Sequence, residues 1–158
     1  MNLLRCLPAT DLTGFLTTLT VLIGIFVAFV GYQQYRVNRA KFKLDLFEKR
    51  FAVYKGTQTL LTCILRDAKV ELEEVFRFRG TTQDAVFLFG EDITKFLSAI
   101  DKRALKLWQI GQELKDMPVG DKRSNLCREQ SELLGVLTDD LPRLTGVFGP
   151  YLAFKKWR

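Results

Sequence analysis

The chain has 158 residues, of which 47% are hydrophobic and 27% charged, a balance that excludes both a disordered chain and a polytopic membrane protein. Lys and Arg outnumber Asp and Glu by 24 to 18, giving a formal net charge of +6, and histidine is absent. That absence removes the commonest general base and the commonest metal ligand.

From Leu12 to Tyr35 there are 24 residues without a charge. As a helix rising about 1.5 Å per residue, such a run is long enough for the ~30 Å hydrocarbon core of a bilayer. A secretory signal would have a shorter apolar region, a basic start and a small-x-small cleavage site; here Arg5 is offset by Asp11 and no Ala-x-Ala site follows. The expectation is a permanent anchor over 12–35, preceded by a short external tail (1–11) and followed by a cytoplasmic domain (36–158).

The flanks set the expected direction. Between Arg36 and Lys55 seven basic residues stand against two acids, which accounts for a net +5 of the chain's +6. The positive-inside rule then places the C-terminal side in the cytoplasm and the N-terminus outside. Arg36, Arg39, Lys41 and Lys43 form a collar suited to anionic head groups of the inner leaflet, and Tyr32 and Tyr35 lie where an interfacial aromatic belt is expected. The basic balance therefore reports topology, and no nucleic-acid partner is expected. Within the anchor, Thr17, Thr20, Gly24, Ala28 and Gly31 fall on one face, with Gly24-x-x-x-Ala28 a small-x-x-x-small pair. Such a face lets membrane helices approach closely, so self-association is a candidate property.

Beyond the anchor the pattern is helical. Leu44, Phe47, Phe51, Tyr54, Gln58, Leu61, Leu65 and Ala68 step by three and four, and no proline interrupts from residue 9 to 117, so the first helix is expected to run on past the membrane. Gly56 is a weak point in it, costing about 1 kcal/mol relative to alanine. A short helix is expected over Val70–Phe78, ended by Gly80, with Phe76 inward and Arg77 and Arg79 in water. One or two turns should follow around Phe87 and Phe89. Ile93, Leu97, Ile100, Ala104, Leu107, Gly111 and Leu114 predict a long helix that stops before Pro118. Leu126, Gln130, Leu133, Leu137 and Leu141 predict another, ending at Pro142, with a short final turn broken at Gly149-Pro150. With no sustained alternation of period two, the expected fold is all-α: one transmembrane helix continuing into an antiparallel bundle of about three long helices with short connecting helices. The stripes are assigned to the interior of that bundle.

Chemistry is sparse. Nucleotide-binding glycine loops and nucleophile elbows are missing. The acid clusters Glu71/Glu73/Glu74, Glu91/Asp92 and Asp139/Asp140 are assigned to helix ends and solvated faces. Cys6, Cys63 and Cys127 are odd in number and lack C-x-x-C spacing; Cys63 and Cys127 are read as buried or half-buried structural thiols, and nothing around Cys6, close to the membrane, specifies lipidation. The closing Lys155-Lys156-Trp157-Arg158 suits a membrane surface. No catalytic residue, cofactor or metal is expected.

Three blocks carry a resemblance: "KLDLFEKRFAVYKG" (43–56), "FLFGEDI" (87–93) and the later "LP…F…PYLAF". The chain resembles small bacterial proteins with an N-terminal membrane helix and a helical cytoplasmic region, a group to which no activity or catalytic residue is assigned. The resemblance implies a single-pass protein of the bacterial inner membrane and transfers no site. Two functions are consistent with all of this. One is a non-catalytic, membrane-tethered interaction module contacting lipids and a cytoplasmic protein, or another copy of itself, through Phe76, Phe78, Phe87 and Phe89. The other is a small oligomerising effector, toxin-like or antiviral, whose anchors perturb the bilayer when the bundle is triggered.

Overall fold

The computed structural model describes residues 9–153 except 116, with side chains from residue 14 onward. Five helices follow in order: α1 (Ala9–Asp67), α2 (Leu72–Thr82), α3 (Ala85–Leu88), α4 (Glu91–Lys115) and α5 (Asp121–Leu152). Among the described residues there is no strand, and the fold is all-α, as the periodicity predicts. The chain divides into two compact units, Met1–Leu44 and Asp45–Arg158.

The first unit contains the uncharged stretch, and none of its residues from 14 to 44 is buried. Phe15, Leu22, Ile25, Phe26, Val27 and Phe29 are all more than half exposed. By length and composition this is a helix able to cross a membrane. Thr18 and Thr20 return their hydroxyls to backbone carbonyls, Thr20 Oγ1 donating to Leu16 O at 2.8 Å, so these polar groups need no water.

The second unit is a helical bundle. Its core takes Val53, Leu60, Leu61 and Ile64 from α1, Val75 and Phe78 from α2, and Leu137, Leu144 and Phe148 from α5. The longest contribution is from α4, where Ile93, Leu97, Ile100, Ala104, Leu107 and Ile110 are buried. Five of these are the residues its spacing singles out. Side-chain pairs give the directions. Tyr151 donates to Asp92 at 2.9 Å, Arg103 to Asp140 at 2.5 Å, and Lys106 is paired with Glu129, so α4 and α5 run antiparallel. Arg50 donates to the Leu88 carbonyl at 3.0 Å, and Tyr54 lies edge-on to Phe148 with centroids 5.7 Å apart.

Three boundaries differ from the sequence expectation. Helix α2 does not end at Gly80 but reaches Thr82. Its start is secured by the backbone N–H of Glu71, which donates to the Glu74 carboxylate at 3.4 Å, so the glutamate cluster has a capping role. Helix α5 does not end at Pro142 and is not broken at Gly149-Pro150; both prolines lie inside it. Each interior proline is costly to a helix, and the burial of Leu144 and Phe148 beyond Pro142, on the face of α5 that also buries Leu137, offsets that cost. Finally, the face of α1 that enters the core is centred on Val53, Thr57, Leu60 and Ile64. Of the stripe from Leu44 to Ala68 only Leu61 is fully buried, while Leu44 and Phe51 are exposed. Ala68 takes a positive φ of 51° and lies just past the helix end.

Gly56 has a reason beyond tolerance. A Cβ there would lie 2.6 Å from Thr81 Cγ2 and 3.1 Å from Thr81 Cβ, and Thr81 is held by its hydroxyl bond to the Arg77 carbonyl at 2.9 Å. Gly56→Ala is expected to destabilise the bundle by about 1–2 kcal/mol, the overpacking of α1 against α2 exceeding the gain in helix propensity. In a Thr81→Ser background, which removes Cγ2 and keeps the hydroxyl, the same change should become neutral or stabilising. Thermal melts of the four proteins check the reversal of sign.

Candidate functional site

The surface with most to offer a partner lies on the second unit where α2, α3 and α4 meet. Arg79 of α2 forms a bidentate pair with Asp101 of α4, Nε to Oδ1 at 2.7 Å and Nη2 to Oδ2 at 2.9 Å, and its guanidinium sits over the Phe76 ring, 5.8 Å from the centroid. That pairing raises the Arg79 pKa above its ordinary value, chiefly through the hydrogen bonds to Asp101. Beside it a groove of about 410 Å³ is lined by Phe78, Thr82, Gln83, Val86, Thr94, Leu97 and Ser98. Val86, which also lines it, is 61% exposed, and the next residue along α3, Phe87, is 86% exposed.

The four aromatic contact candidates are thus split. Phe76 and Phe87 are surface rings, Phe76 being 56% exposed. Phe78 and Phe89 are core rings, 3% and 9% exposed, and are corrected here to structural roles. The reason for Phe76 and Phe78 is helical register: α2 buries Val75 and Phe78, three apart, which turns Phe76 outward, the reverse of the orientation expected. Phe89 follows the short α3 and packs edge-on against Phe148 and Tyr151, both at 5.3 Å, under the Arg50 guanidinium at 5.7 Å.

The membrane-helix candidates Thr17, Thr20, Gly24, Ala28 and Gly31 are all exposed on α1, within an arc of about 80° at 100° per residue. A Cβ built at Gly24 or Gly31 would meet nothing within 4 Å, so that face is open in a single chain. Arg36, Arg39 and Lys41 are exposed on the same helix, and Lys43 is half-buried. Cys6, the tail up to residue 8 and the closing Lys155–Arg158 lie outside the described residues.

A smaller cavity of about 150 Å³ opens between α1 and α2, lined by Gly56, Leu60, Cys63, Glu74, Arg77 and Phe78 among others. Burial, with the neighbouring Glu74 carboxylate second, pushes the Cys63 thiol pKa up, which leaves it protonated and a poor nucleophile. Cys127 is exposed, not half-buried.

One group was invisible in the sequence reading. Asp140, assigned there to a solvated face, is completely buried, with Arg103 at 2.5 Å and Arg143 at 3.3 Å. It lies three residues after Leu137 and four before Leu144, on the buried face of α5. Extending that helix past Pro142 is the signal that finds it. Two arginines pair with this carboxylate in the bundle wall, which makes it a structural element. Among the described residues, no three His, Cys, Asp or Glu side chains come together as a metal site requires. Comparison with family models, curated proteins and solved structures returned no match to this chain, so the geometry alone bears on function.

Proposed function

We propose that this chain is a membrane-tethered, non-catalytic interaction module: residues 12–35 cross the bacterial inner membrane once with the N-terminus outside, and the helical bundle meets a cytoplasmic protein. The observation that carries the reading is the exposure of residues 14–35, where a long uncharged helix has no buried residue. So much contiguous apolar surface is stable only in an apolar medium. The collar of Arg36, Arg39, Lys41 and Lys43 supports the direction and supplies contacts to anionic lipid. The partner surface is the α2–α4 groove with Val86 in its lining, together with the exposed Phe76 and Phe87 on the helices that form it, since large exposed apolar side chains mark binding sites.

A second reading, the oligomerising effector, rests on the open small-residue face at Gly24, Ala28 and Gly31. One experiment separates the two. The full-length chain is induced in a bacterium while a potential-sensitive dye is followed, and the detergent-extracted protein is then recovered with its companions. The tether reading expects polarised cells and one stoichiometric cytoplasmic protein, lost from a Phe87→Asp variant. Depolarisation that Gly24→Ile abolishes, with no such companion, would overturn it in favour of the effector.

A further inference from the structure

The pocket of about 150 Å³ between α1 and α2 lies wholly within the unit 45–158. In its lining Leu60 and Phe78 are buried, whereas Thr59 and Arg77 are exposed, so its apolar end is inside and its polar end meets water. Gly56 and Thr81 keep it open. A Cβ added to Gly56 would lie 2.6 Å from Thr81 Cγ2, so α1 and α2 already touch there and cannot draw together to fill the space. A pocket of this volume walled by aliphatic and aromatic side chains has room for a single benzene-sized ring.

Charge narrows the occupant further. Glu74 and Arg77 give the lining one charge of each sign, so an ion of either sign would meet its like at short range. Glu74 Oε2 accepts the Glu71 N–H at 3.4 Å, and a carboxylate offers about four acceptor positions, so it can take a further donor. Burial, and after it the Glu74 carboxylate, keeps the Cys63 thiol protonated. That thiol is therefore a neutral part of the wall and a poor nucleophile, and capture here is non-covalent. We propose that the pocket binds a small neutral molecule, one ring carrying one hydroxyl, with its apolar part against Leu60 and Phe78 and the hydroxyl donating to Glu74. Phe78 also lines the α2–α4 groove, so the occupant touches a side chain that the partner surface shares.

Phenol is the probe, compared at equal free aqueous concentration with toluene, which lacks the donor, and benzoate, which is an anion. The full-length chain is held in mild detergent, with Cys6 and Cys127 changed to Ser so that Cys63 is the one thiol; a chain keeping Cys127 alone is the control. In mildly alkaline buffer, phenol should slow modification of Cys63 by methyl methanethiosulfonate at least about five-fold and leave Cys127 unaffected. Toluene should need about ten-fold more for equal protection, having lost a hydrogen bond to a charged acceptor, and benzoate should give none. Glu74→Gln, which retains the capping box, should narrow the gap between phenol and toluene. Phenol should also raise the Tm of the unaltered chain but not that of Cys63→Met, whose longer side chain takes up the space. Equal slowing at both cysteines, no slowing at Cys63, or toluene or benzoate protecting as well as phenol would overturn the proposal. Should Cys63 resist the reagent altogether, the melts decide: an equal Tm with and without phenol overturns it. The tether reading rests on residues 14–35 and survives any of these failures.

Discussion

Replacing Phe148 with alanine is expected to destabilise the unit formed by residues 45–158 by about 3–5 kcal/mol. The ring is fully buried and joins three parts of the chain. It meets Tyr54 of α1 edge-on at 5.7 Å and Phe89, between α3 and α4, at 5.3 Å. Around it Arg50 ties the Leu88 and Tyr151 carbonyls together at 3.0 and 3.4 Å, so the surrounding backbone has little freedom to collapse into the cavity. Domains are stable by only about 5–15 kcal/mol, and the loss is therefore a large share of the total. Phe148→Leu keeps most of the volume and should cost about half as much or less. Urea titration in mild detergent, followed by far-ultraviolet circular dichroism, measures both. A loss below about 1 kcal/mol for the alanine variant would show that the ring is not a junction of the core.

The second large effect is expected at Arg103. Asp140 is buried without exposure, the Arg103 side chain is 32% exposed, and Arg143 is 65% exposed. Removing Arg103 leaves a carboxylate inside the bundle with only a well-solvated arginine to answer it. Breaking such a pair from one side typically costs about 3–5 kcal/mol. Arg103→Met should fall at the lower end of that range, because Arg143 remains at 3.3 Å. Arg143→Met should cost less than about 1 kcal/mol, as exposed ion pairs do. The double variant Arg103→Met with Asp140→Leu removes the charge as well as its partner and should recover most of the loss. Chemical denaturation of the wild type and these three variants measures each loss. If Arg103→Met costs no more than Arg143→Met, the burial assigned to Asp140 is wrong.

How far the fold was legible depends on how regular each helix is. Helix α4 declares itself, since a stripe from Ile93 to Leu107 follows Glu91 and Asp92 in the first turn, where they suit the helix dipole, and Pro118 lies just past its end. Helix α5 does not. Local rules end it at Pro142, whereas tertiary burial of Leu144 and Phe148 carries it through, and with it the buried face that holds Asp140. Helix α1 misleads differently: of the stripe from Leu44 to Ala68 only Leu61 is fully buried, and the face that enters the core is centred on Val53, Thr57, Leu60 and Ile64. Nothing in the spacing says that Gly56, rather than any other weak point, is where Thr81 of α2 comes close. Phe76 and Phe78 are only two positions apart, too little for periodicity to decide which turns inward before the position of Val75 is known. The exposed surface around Phe87 was legible as a region, and its split into core and surface rings was not.

The most direct test of the account is the place of the full-length chain in the cell. Membranes are washed with alkaline carbonate, and inside-out vesicles are treated with protease. The account predicts that the chain stays in the washed pellet and that protease outside such vesicles digests residues beyond the basic collar, leaving a small protected fragment around residues 12–35. Release into the supernatant, or a bundle protected in inside-out vesicles and cleaved in intact spheroplasts, would contradict it.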